Sequence, residues 1–77
     1  MVTSKQIKQS ISYFKQAVLL QSKMYDLVNE LRDAKEEELA SKVSDGAFKM
    51  DAARDNLEEV AKEMIEMKYG KGKGPRF

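Results

Sequence analysis

Cysteine, histidine and tryptophan are all absent from this 77-residue chain. Without cysteine, neither disulfides nor thiolate metal sites can support a small core, and without histidine the commonest general base and metal ligand is missing. The expectation is a protein that is not an enzyme and carries no cofactor or metal. Apolar runs are short: the longest, Ala17 to Leu20, has four residues, far below the ~20 needed to cross a bilayer. No h-region follows the start of the chain, so the expected location is cytoplasmic, the host cytoplasm if the protein is viral, with no membrane partner. Proline occurs once, at Pro75, and glycine at Gly46, Gly70, Gly72 and Gly74. Strong helix breakers are therefore missing from Thr3 to Tyr69 except around Gly46.

Acidic residues are missing from both ends. All thirteen lie between Asp26 and Glu66, so residues 1–25 carry +4, residues 26–67 carry −7, and residues 68–77 carry +4. A chain that folds back on itself would turn a net charge of +1 into a strong dipole, with a basic pole and an acidic pole.

The remaining sequence reads as helix. Thr3 with Gln6 makes a capping box, and Val2 with Ile7 occupies the positions of a hydrophobic staple, so the first helix is expected to start at Ser4. Two seams run along it. One is Ile7, Ile11, Phe14, Val18, Gln21, Tyr25 and Val28; the other is Tyr13, Ala17, Leu20, Met24, Leu27, Leu31 and Ala34. Together they span about 200° of the circumference, more than one antiparallel partner covers. The second half carries a single seam of heptad spacing: Leu39, Val43, Gly46, Met50, Ala53, Leu57, Val60, Met64 and Met67.

The fold class is thus all-α: an antiparallel helical hairpin of two long helices over residues 1–69, of coiled-coil type, oligomerising into a helical bundle, with a flexible basic glycine/lysine tail over residues 70–77. The turn is expected at Ser44-Asp45-Gly46, where capping residues precede a glycine. The alternative is a break over residues 33–37, where the heptad phase slips without glycine or proline. A turn at Gly46 leaves the start of helix 1 overhanging, with an exposed stripe of Ile7, Ile11, Phe14 and Val18. Extended along its seam to Tyr25 and Val28, this stripe is the candidate oligomer or partner interface.

Three functional classes follow. The first is a small non-enzymatic helical interaction protein that self-associates and binds, inhibits or regulates a larger protein partner. The second is a binder of an anionic ligand, nucleic acid or a small nucleotide held between subunits. Its candidate residues are Lys5, Lys8, Lys15, Lys68, Lys71, Lys73 and Arg76, with Tyr13 and Tyr69 placed to stack on bases. The third is a structural scaffold or assembly chaperone. In architecture alone, the chain resembles the compact helical hairpins, free of histidine and cysteine, found among small bacteriophage-encoded regulators and inhibitors. That resemblance carries no residues over.

Overall fold

The computed structural model describes all 77 residues and is all-helical: α1 runs Ser4–Asp33 and α2 runs Glu37–Tyr69, packed antiparallel in a hairpin 51 × 19 × 14 Å. Helix α1 starts where the sequence places it. Thr3 Oγ1 accepts from the Gln6 backbone N–H at 3.1 Å, and Gln6 Oε1 accepts from the Thr3 N–H at 2.9 Å. Each end of this capping box satisfies a backbone donor that the first turn leaves open.

The turn lies at Ala34–Glu36, at the alternative break over residues 33–37 and not at Ser44-Asp45-Gly46. The Glu36 N–H reaches back to the Leu31 carbonyl at 2.8 Å and the Lys35 N–H to that of Arg32 at 2.9 Å. This is the Schellman pattern of a helix C-terminus, with Lys35 at φ 63° in the left-handed position usually given to glycine. Gly46 instead sits inside α2. The reason is global. A turn here makes arms of 30 and 33 residues that cover each other along their whole length, whereas a turn at Gly46 would strand the apolar start of α1. That gain outweighs the roughly 1–2 kcal/mol cost of a left-handed lysine. Helix α2 then begins with Glu37 and Glu38 in its first turn, where negative charge complements the helix dipole.

Because the overhang does not exist, its residues are redistributed. Ile7 and Val28 are fully buried between the helices, Ile11 and Phe14 are half-buried, and only Val18 and Tyr25 remain exposed. As a stripe, the expected interface is therefore broken up, and its two ends belong to the core of the hairpin itself.

The buried face of α1 runs between the two expected seams. It follows Ile7, Ser10, Phe14, Ala17, Gln21, Met24, Val28 and Leu31, alternating spacings of three and four. On α2, Val43, Met50, Leu57 and Met64 of the expected seam are half-buried, but Leu39, Val60 and Met67 are exposed. Their place is taken by Ala40, Ala47 and Ala61, each 0% exposed. Alanine at the centre of the seam lets the helices approach closely, and the larger side chains are pushed to the flanks.

Candidate interaction surface

Near the middle of the hairpin, the seam is polar. Gln21, 5% exposed, donates from Nε2 to the Ala47 carbonyl at 2.8 Å and to Asp51 Oδ1 at 2.5 Å. Its Oε1 accepts from Arg54 Nη1 at 2.8 Å. Both amide hydrogens and the oxygen are used, and no buried side-chain polar atom in the chain lacks a partner. The signal was present in the sequence, since Gln21 interrupts an otherwise apolar row. Its partners Asp51 and Arg54 give no such signal, because charged residues three apart on a helix are usually solvated.

On either side of the seam, large apolar side chains face outward. The Tyr13, Leu20, Leu27 row of α1 and the Leu39, Val60, Met67 row of α2 are all exposed, Met67 by 74%. Tyr13 and Met67 line the same open groove of about 470 Å³, together with Met1, Val2 and Met64. The two rows therefore flank the same side of the hairpin, and a period of seven keeps each row on that side along its length. Between Leu39 and Val60, the α2 row passes through Gly46 and Ala53, so its centre is flat. The sequence places these residues in seams, and on α1 the two seams together are wider than one antiparallel partner covers.

The opposite side carries Val18, Tyr25 and Phe48, the last 69% exposed. At the open end of the hairpin this side is covered by the C-terminal segment. Helix α2 stops at Tyr69, Gly70 takes φ 96°, and the chain turns back so that the Phe77 ring meets Phe14 edge-on at 5.5 Å. Gly74, at φ 94°, lies so close that a Cβ there would stand 2.7 Å from the Tyr69 ring and 2.8 Å from Ile65. Residues 70–77, read from the sequence as a flexible tail, thus lie without regular structure against the hairpin and in contact with it.

The turn at Ala34–Glu36 brings both basic ends of the sequence to one pole. Lys5, Lys8, Lys15, Lys68, Lys71, Lys73 and Arg76 all lie toward the open end, and none forms an ion pair. The three ion pairs present are all within α2, at the helical spacing of four: Lys42 with Glu38, Lys49 with Asp45, and Lys62 with Glu58. Hydrogen bonding to Glu58, reinforced by charge attraction, raises the Lys62 ammonium above its ordinary pKa. The candidate anion-binding residues do not converge on one cavity. Lys73 and Arg76 line a groove of about 390 Å³ with Lys62 and Glu66, whereas Lys8 and Lys15 line a separate one on α1. Tyr13 lies on the apolar side, and Tyr69 is packed under Gly74, its ring 5.9 Å from Lys68 Nζ. The pole is also not uniformly basic, because Glu59, Glu63 and Glu66 occupy the same end of α2.

What the fold and surface define is a two-helix antiparallel hairpin with an inverted apolar distribution. Comparison with known protein families, with curated proteins and with solved structures finds no match to this chain.

Proposed function

We propose that this chain is a non-enzymatic helical interaction protein that self-associates and acts by binding a larger protein partner. The observation that carries the reading is the apolar inversion. Seven apolar residues are buried, four of them alanine, while thirteen large apolar side chains are exposed. Two helices alone cannot enclose such a set, and large apolar side chains left exposed on both sides of the hairpin favour association over a finished monomer. The Tyr13/Leu39 side supplies a surface for self-association. The separate Val18, Tyr25 and Phe48 patch supplies one for a partner.

Two measurements test the two halves. Light scattering on a size-exclusion column should give a mass above that of one chain at micromolar concentration, and the melting temperature should rise with protein concentration. A single-chain mass throughout that range refutes self-association. Affinity capture from the native host should retain a stoichiometric partner that is lost with a Val18→Glu/Tyr25→Glu double variant. Equal retention by that variant removes the patch from the partner site.

A second reading, anionic-ligand binding at the open end, is favoured by one observation: the seven candidate cations there have no carboxylate partner within the chain. It predicts affinity for nucleic acid or polyphosphate that falls steeply as salt rises. Salt-independent binding, or none at low salt, removes it.

A further inference from the structure

We infer that the Tyr13/Leu39 side takes a second copy of this chain, packed face to face and antiparallel, so that the two hairpins close into a four-helix bundle. This rests on the self-association reading and specifies its geometry. The outline of the hairpin, 51 × 19 Å, bounds the face at roughly 900 Å², room enough for the ~800 Å² per partner of a standard interface. The surface also suits itself. A twofold axis across the long dimension, near Leu20 and Ala53, lays α1 on α1 and α2 on α2. Val60 then meets the partner's Gly46, and Met67 meets the partner's Leu39, so each large residue faces either a small one or an apolar equal. An interface of this kind is isologous and closes at two copies.

Charge selects the antiparallel direction. Cut at the axis, the turn half of the hairpin, residues 21–52, carries −3, and the open half, residues 1–20 with 53–77, carries +4. Antiparallel stacking places unlike halves together. At the rim of the α2 row it brings Lys42 to within about one residue of the level of the partner's Glu63. Parallel stacking instead lays α1 on the partner's α2, sets the two basic halves together, and brings Lys23 level with the partner's Lys49. The polarity is thus specified by penalties on the alternative as well as by attraction.

The cysteine-free sequence allows a direct test. A single spin label at Glu38→Cys, beside the turn, should report a label-to-label separation of about 40–50 Å, set by hairpin length at 1.5 Å per residue, in a particle of two-chain mass. A separation under about 25 Å overturns the antiparallel geometry while leaving self-association intact. A particle of one chain overturns both, and one of three or more chains overturns the closed dimer. Leu20→Glu/Leu27→Glu should give a monomer, whereas Val18→Glu/Tyr25→Glu should stay dimeric; the reverse pattern assigns the interface to the wrong side. As a check independent of folding losses, Lys42→Glu should weaken dimerisation about five- to tenfold and Glu63→Lys in the same chain should restore it. Additive weakening in the double variant refutes the pairing.

Discussion

Gln21 on α1 donates its side-chain amide to the backbone carbonyl of Ala47 on α2 at 2.8 Å, and this bond ties one particular turn of α1 to one particular turn of α2. The other buried polar side chain of the seam, Ser10, bonds to the Gln6 carbonyl of its own helix, so Gln21 is the buried polar group that ties one level of the seam to the other helix and fixes register, because a slipped pairing would leave it without partners. Gln21→Leu fills the same space but leaves the half-buried Asp51 and Arg54 without their partner, so it is expected to cost about 1–3 kcal/mol while the hairpin stays helical. It should nevertheless cost uniqueness, visible as additional or broadened amide resonances. A single sharp set of resonances for the variant would show that register is fixed elsewhere.

Lys35 occupies a left-handed position with φ 63°, so Lys35→Gly relieves backbone strain without touching a packed side chain. The expected gain is about 1 kcal/mol, read in urea unfolding as a higher midpoint at unchanged slope. A loss of stability would be inconsistent with the Schellman geometry of the turn.

Gly46 lies within α2, and a Cβ there would meet only the terminal methyl carbon of Met24, at 3.2 Å. That methyl can move aside. Gly46→Ala should therefore stabilise the hairpin by about 0.5–1 kcal/mol through helix propensity and a less flexible unfolded chain. Had the chain turned at Gly46, the same substitution would destabilise it, so the sign of the change in circular-dichroism melting decides between the two turns.

Phe14 and Phe77 meet edge-on at 5.5 Å, the contact that holds the end of the tail to the hairpin. A double-mutant cycle with Phe14→Ala and Phe77→Ala is expected to return a coupling of about 0.5–1.5 kcal/mol. Gly74→Ala should abolish that coupling, because its side chain cannot fit beneath Tyr69 and Ile65 at a positive φ. Hydrogen exchange of the backbone amides of residues 70–77 would then accelerate. Exchange unchanged from the parent would mean that Gly74 does not hold the tail in place.

Much of this architecture was legible in the residues. Thr3 and Gln6 announced the first cap, the scarcity of proline and glycine announced two long helices, and the acid–base spacings of four became the three ion pairs of α2. The charge distribution also implied a dipole, which the hairpin realises by bringing the N-terminal and C-terminal lysines to one end. Of the two turns the sequence offers, Gly46 is the stronger local signal and the break at 33–37, which carries only a slip of heptad phase, is the one the chain adopts. Local propensity differs between these sites by about a kilocalorie or two, and whole-length burial of one arm by the other outweighs it.

The sequence by itself determined that the chain is helical, where it starts, and that its charge is segregated, because capping, periodicity and composition are local properties of neighbouring residues. Only the tertiary structure decided which of the apolar residues face inward. Periodicity marks an apolar sector about 200° wide on α1 without fixing the line along which a partner helix will lie. Packing chose the line through Ala17 and Gln21, against Ala40, Ala47 and Ala61, since small side chains permit close approach and Gln21 finds its partners there alone. That choice turned Ile7 and Val28 into core and left the Tyr13, Leu20 and Leu27 row facing outward, beside that of Leu39, Val60 and Met67.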